Sequence, residues 1–194
     1  MRLIKPALDV VLAAALLVLL SPVMLAVAMA ILCVLGRPVL FRQQRIGRGG
    51  CPFVMLKYRT MRRDRRLESR PVTEERRSYH KSDDDPRHTP LGRFLRRHSL
   101  DELPQLINVM RGEMSLVGPR PELAAVVMRY AGWEHERHGV RPGLTGLWQV
   151  SARGEGRMHE FTYLDVEYVR TVNPLVDLKI LVKTGPALVQ RRGH

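Results

Sequence analysis

Between Val10 and Leu35 the chain carries no charged side chain, and as one α-helix that run would reach about 39 Å. A hydrocarbon core about 30 Å thick needs only about 20 residues, so the simplest reading is a spanning helix. Two features point elsewhere. Ser21-Pro22 sits near the middle; Pro22 has no N–H, and its ring crowds the carbonyl of Val18. The Ser21 hydroxyl can serve a carbonyl exposed by the break, which makes a bend tolerable in lipid. Each half is then about 17–21 Å long, too short to cross alone. The flanks are the second feature. Arg2 and Lys5 precede the run, and Arg37, Arg42, Arg45 and Arg48 follow it. With both ends basic, the positive-inside rule asks for both in the cytoplasm. A re-entrant helix over residues 7–35, bent at Ser21-Pro22, meets that demand; a kinked spanning helix is the alternative. Ala26-Val27-Ala28 resembles a signal-peptidase site, but the apolar run is longer than a signal peptide's and continues past it.

The remainder is strongly basic: 32 Lys and Arg against 19 Asp and Glu, a formal net charge of +13. Such a balance points to a polyanionic partner. Nucleic acid lacks support here, because there is no zinc-ligand spacing, basic-helix heptad array or aromatic RNA-binding signature. An anionic membrane surface fits the apolar N-terminus better. The two cysteines, Cys33 and Cys51, give no disulfide framework and suit a reducing compartment.

The chain reads as α+β and predominantly α. The expected plan is a membrane helix over 1–36 and one membrane-associated catalytic domain over 37–194. Val39-Leu40-Phe41 and Phe53-Val54-Met55-Leu56 flank the glycine-rich turn Gly47-Arg48-Gly49-Gly50, which predicts a hairpin. Residues 62–86 are charge-dense and read as an exposed linker, with Asp83-Asp84-Asp85 as a solvated turn. Thr89-Pro90 has the cap-then-proline order of a helix start, and a second start is expected at Ser99. Leu103, Leu106, Ile107 and Met110 predict one apolar face, closed by Gly112. SLVGPRP (115–121) and RPGLTG (141–146) read as loops holding an arginine beside rigid backbone. Further helices are expected over 160–170 and after Asn173-Pro174. In the last, Leu175, Leu178, Leu181 and Val182 are apolar, while Lys179 and Lys183 can reach lipid head groups.

Asp101-Glu102 is the strongest candidate for chemistry, and two readings compete. Ser99 and Glu102 have capping-box spacing, and acids in a first turn answer the helix dipole. Alternatively, an ionised carboxylate near cations attacks phosphorus to give an acyl phosphate, while its neighbour helps hold a divalent cation. Arg59, Arg93, Arg96, Arg97, Arg120, Arg141 and Arg153 lie in or beside Gly/Pro-rich or helix-start segments, and guanidinium pairs well with a nucleotide diphosphate. His88 and His98 show no metal-ligand spacing and read as surface groups.

The run DPRHTPLGRFLRRHSLDELPQLINVMRGEMSLVGPRPE, residues 85–122, resembles the bacterial sugar transferase family, the monotopic polyprenyl-phosphate phosphoglycosyl transferases that start cell-surface glycan assembly. The resemblance extends to Ser21-Pro22, to Lys57-Tyr58-Arg59-Thr60-Met61, to Arg141 through Gly146, and to Leu164-Asp165 through Thr184. It implies that Asp101 is the nucleophile on the β-phosphate of a UDP-sugar, expelling UMP. It implies that Glu102 completes the dyad and supports Mg²⁺ or the acceptor step, so that Asp101 and Glu102 are also the metal ligands. Lys57, Arg59, Arg120, Arg141 and Arg153 are the implied substrate-binding residues. Polyprenyl phosphate would take the phospho-sugar from Asp101. The implied location is the bacterial inner membrane, with the catalytic domain on the cytoplasmic face among phospholipids, and no nucleic acid partner; a homodimer is compatible with the sequence. Tyr58 stands where family members often have Phe. Ser151-Ala152-Arg153 stands where they often have Ser-Gly-Arg, which leaves the loop before Arg153 less free to bend. Larger relatives carry an additional multi-span N-terminal region, so this chain reads as a minimal catalytic unit. Two other classes remain: a membrane-anchored basic module without chemistry, and a glycosyltransferase that releases UDP.

Overall fold

The computed structural model describes residues 4–62, 87–151 and 161–189. It is mostly helical, with two small strand pairs. The apolar run forms α1 (Ile4–Leu35), which continues through Pro22. Pro22 cannot donate to Val18 O, and the Ser21 hydroxyl donates to that carbonyl instead at 2.8 Å. Val18, Leu19 and Leu25 are exposed, whereas Asp9, Ala13, Val27 and Ile31 are buried. One side of α1 is therefore covered by protein and the other is bare hydrocarbon.

Two apolar clusters cover α1. The first joins Ala13 to Met55, Leu106, Val109 and Tyr168, with Leu16, Leu17 and Leu20 packed against it. The second joins Val27 and Ile31 to Tyr58 and Leu95, with Met24 and Leu35 alongside. The boundary between them falls at Ser21-Pro22. Leu106 is 1% exposed, and cutting such a side chain to Ala costs about 2–5 kcal/mol.

The expected hairpin is present and longer than its apolar cores. β1 (Leu40–Ile46) pairs antiparallel with β2 (Pro52–Tyr58), placing Phe41 opposite Lys57. The turn uses Gly49 and Gly50 at positive φ, where other residues are strained. α2 (Pro90–Arg97) starts as expected: the Thr89 hydroxyl accepts from Gly92 N at 3.0 Å, and Pro90 opens the first turn.

The helix expected from Ser99 is corrected. Leu100–Glu102 is a short 3₁₀ turn, and α3 spans only Gln105–Met110. Its buried residues are Gln105, Leu106, Asn108 and Val109, while Met110 is exposed. Leu103 lies before the helix, so the apolar spacing ran across two elements. Asn108 is buried because it serves the open edge of β2. Its Oδ1 accepts from Leu56 N at 3.0 Å, and its Nδ2 donates to Val54 O at 2.8 Å. Gly112 ends α3 at positive φ, as expected.

The two segments expected as loops contain strands: β3 (Ser115–Val117) runs parallel to β4 (Gly143–Thr145). A Cβ on Gly118 would sit 2.5 Å from Arg141 O, and one on Gly146 would sit 2.2 Å from Gly118 O. These glycines permit the backbones to cross in contact. α4 (Ala124–Val127) follows, then a 3₁₀ stretch over Gly132–Gly139 and α5 (Leu147–Ser151). α6 (Thr162–Thr171) and α7 (Pro174–Val189) close the described chain. Asn173 Oδ1 accepts from Val176 N at 3.0 Å at the start of α7. Leu175, Leu178 and Val182 of α7 are exposed, forming the expected apolar face. The stretches 63–86 and 152–160, with Asp83-Asp84-Asp85, lie outside the described residues.

Both ends of α1 are fastened to this domain. Near the start, Asp9 accepts from the Ser115 hydroxyl at 2.7 Å and from Leu116 N at 3.3 Å, and Lys5 pairs with Asp177 at 2.7 Å. At the finish, the Arg59 guanidinium donates to Leu35 O at 2.5 Å and Gly36 O at 2.6 Å. These carbonyls lack helical partners.

Candidate active site

Ser99 adopts left-handed backbone, φ 54°, and makes no capping hydrogen bond through its side chain. The capping-box reading of Ser99 and Glu102 is therefore overturned, because the Glu102 carboxylate is engaged elsewhere. Its Oε1 accepts from Lys57 Nζ at 2.8 Å and from Arg120 Nη2 at 2.7 Å, and Oε2 takes a longer contact from Arg120 Nη1 at 3.4 Å. Strand β2, the 3₁₀ turn and the loop after β3 thus meet at one buried carboxylate.

The neighbouring carboxylate is treated differently. Asp101 is 7% exposed and forms none of the ion pairs among the described residues. Burial pushes its pKa up to about 6; Lys57 lowers it, Glu102 raises it, and Arg120 lowers it. Burial also opposes ionisation of Glu102, but Arg120 and Lys57 outweigh it and hold that carboxyl far below its usual range. Two adjacent acids are thereby held differently: Glu102 is clamped by Arg120 and Lys57 with its carboxyl depressed, while burial raises Asp101 above the usual carboxylate range.

An Mg²⁺ ion, if bound here, would be held by this pair. Glu102 Oε2 and the Asp101 carboxylate are the oxygens with capacity left, and Mg²⁺ is usually held by one or two carboxylates with substrate phosphates and water completing its shell.

Of the residues expected to bind substrate, Lys57 and Arg120 are brought to the dyad. Arg59 is buried at the C-terminal end of α1. Arg141 lies beside Gly112, and Arg153 is outside the described residues. Arg96 reaches the Thr60 hydroxyl at 3.1 Å. His98 is exposed, as expected, and His88 is half-buried.

Sequence reasoning passed over a second charged group. Arg137 is 3% exposed and forms a buried ion pair with Asp165. Its Nη1 donates to the Tyr130 hydroxyl at 2.6 Å, and its Nη2 to Arg120 O at 2.7 Å. Arg137 sits in a charge-rich segment, WEHERH, where nothing local separates a buried arginine from a solvated one.

The chain matches the bacterial sugar transferase family model over residues 1–191. It is 42% identical to the exopolysaccharide production protein ExoY of Sinorhizobium fredii over 196 residues, covering 97% of this chain and 87% of that one. It is 44% identical to the UDP-glucose:undecaprenyl-phosphate glucose-1-phosphate transferase of Caulobacter vibrioides over 193 residues, 95% of this chain and 69% of that one. To the undecaprenyl-phosphate galactose phosphotransferase of Salmonella typhimurium it is 37% identical over 199 residues, 99% of this chain and 42% of that one. By these likenesses the chain is a transferase. It belongs to the bacterial sugar transferase family.

Proposed function

We propose that this chain is a phosphoglycosyl transferase, moving a sugar phosphate from a UDP-sugar to polyprenyl phosphate through a covalent intermediate on Asp101. The observation that carries the reading is the asymmetry of the dyad: Glu102 holds both cations, and Asp101 is left to react. An Asp101 oxygen attacks the β-phosphorus, the bond from that phosphorus to the bridging oxygen breaks, and UMP leaves with the electron pair. The product on the protein is an acyl phosphate bearing the sugar. An oxygen of polyprenyl phosphate then attacks the same phosphorus, the bond from that phosphorus to the Asp101 oxygen breaks, and the Asp101 carboxylate leaves with the electron pair. Lys57 and Arg120 fix Glu102 and place positive charge where a diphosphate must come. Mg²⁺ bound by Asp101 and Glu102 would supply charge neutralisation at the phosphates.

The same reading places α1 as a re-entrant helix with both ends on the cytoplasmic face of the inner membrane. Its support is that the two halves dock on two clusters meeting at Ser21-Pro22, and that both ends are tied to one domain. A helix standing across the bilayer would present only one end to a domain outside it. The exposed side chains of α1 and the outer face of α7 are then the lipid-facing surfaces, and basic residues near anionic lipid add about 1 kcal/mol each to docking.

The test is the nucleotide product. The full chain in a membrane mimic is given a panel of UDP-sugars, polyprenyl phosphate and Mg²⁺. UMP release with one of the sugars is expected. UDP release would mean transfer of sugar alone. Neither product, with salt-sensitive binding to anionic vesicles, would mean a basic module without chemistry.

A further inference from the structure

We infer that Arg137 is a positioning residue of the transfer reaction, one that holds the main chain of Arg120 so that its guanidinium stays on Glu102. The inference rests on the reading above that the dyad is the reacting site. Arg137 Nη2 is shared between Asp165 and Arg120 O, the latter at 2.7 Å. The guanidinium also lies over the Tyr130 ring, 5.5 Å from its centre. Arg120 is flanked by Pro119 and Pro121, whose rings fix φ on either side. The next two carbonyls are also taken: Pro121 O accepts from Arg45 Nη1 at 3.3 Å, and Glu122 O from Ile46 N at 2.9 Å. Three successive carbonyls of the arginine loop are thus fixed from outside it, two of them by buried or half-buried arginines.

Stability alone does not account for the buried pair. An ion pair in a protein interior is often no better than an apolar pair of equal volume, and here Arg137 Nε and Asp165 Oδ1 are buried without hydrogen-bond partners among the described residues. What the pair adds is a defined position for Arg120 O, on which the 2.7 Å contact between Arg120 and Glu102 depends. A misplacement of about 1 Å at a reacting site can cost about 100-fold in rate.

The decisive experiment compares full-length variants in a membrane mimic by UMP release, with kcat and KM for the UDP-sugar resolved. Arg137→Met combined with Asp165→Leu removes both charges and leaves neither stranded. It is expected to keep its thermal midpoint within a few degrees, to lose about 30- to 100-fold in kcat, and to change KM far less. In an Arg120→Lys background the same pair of substitutions should cost little more, because both act through one guanidinium. Arg137→Lys should fall between, since an ammonium can meet Asp165 but lacks the planar fork that also reaches Arg120 O. A folded Met/Leu variant with unchanged kcat overturns the inference, and so do losses that multiply in the Arg120→Lys background. If the Met/Leu variant does not fold, Arg137→Lys and Asp165→Asn carry the same comparison with Arg120→Lys, read the same way. No UMP release from the unmodified chain would overturn the transfer reading and this inference with it; normal release from wild type and variants alike overturns this inference alone.

Discussion

The Tyr58 hydroxyl donates to the main-chain carbonyl of Met24 at 2.8 Å, two residues past Pro22 on α1. Successive residues of a strand face opposite sides, so Lys57 turns to Glu102 while Tyr58 turns to the membrane helix. One strand therefore registers the dyad against the Ser21-Pro22 stretch of α1. Tyr58→Phe is expected to lower stability by about 1 kcal/mol and to leave UMP release within about threefold, since Lys57 remains. Thermal unfolding in detergent measures the first, and an unchanged midpoint would mean that the contact contributes nothing.

Asp101→Asn should abolish both turnover and the trapping of a phospho-sugar on the protein, with membrane insertion unchanged. Loss of a nucleophile costs about 10³-fold or more, far beyond the ~1 kcal/mol of a lost helix cap. Intact-protein mass spectrometry after mixing with UDP-sugar alone detects the adduct. Near-normal turnover in a folded variant would remove Asp101 from the reaction.

The acid limb of kcat/KM, which reports groups of the free enzyme, should lie near pH 6. Asp101 is raised to about 6 by burial, so it is ionised and competent above that pH and protonated below it. Glu102 is among the groups that raise Asp101. Glu102→Gln should therefore move the limb to lower pH even as it lowers the plateau. A limb that stays put, or moves up, contradicts this electrostatic account.

Chelation of divalent metal should stop turnover, and added Mg²⁺ should restore it, because a carboxylate attacking a diphosphate needs its charge neutralised. Full activity after exhaustive chelation would show that Lys57 and the arginines suffice.

The re-entrant path of α1 is tested by Arg2→Cys in a background where Cys33 and Cys51 are serine. An impermeant thiol reagent should label it only after cells are permeabilised; labelling of intact cells would establish a spanning helix. Ser21→Ala with Pro22→Leu restores an N–H at position 22 and should shift part of the population toward spanning. Activity should fall with it, although no group of the dyad is touched.

Elements punctuated by local chemistry were legible in the sequence. The glycine turn announced the hairpin, Thr89-Pro90 announced α2, and Gly112 marked the end of α3. The β3–β4 pair was not, since strands of three residues carry too few positions for a period and their glycines serve a crossing whose partner is remote in sequence. Ser99 misled because capping-box spacing says nothing about φ, and the left-handed backbone there turns Glu102 away from the helix end. Asp101 and Glu102 were visible as adjacent acids and Arg120 as an arginine set between prolines, while Lys57 came only with the family resemblance. That Arg59 would grip the end of α1, and that Arg137 would lie beneath Arg120, depended on contacts across the fold.

Asp9 has a further consequence for the order in which the molecule is built. Its partner Ser115 lies 106 positions later, so the ribosome delivers α1 to the bilayer long before β3 exists. An ionisable group on an apolar helix is costly without a partner. Among the described residues of that stretch, Lys5 is within reach, 3.8 Å away and one turn earlier. Asp177, to which Lys5 is bound in the finished fold at 2.7 Å, emerges 172 positions after it. Synthesis thus proceeds from a pair made within one helix to a set of contacts that only a nearly complete chain can supply, and a prematurely terminated product keeps only the longer Lys5 contact to cover this acid.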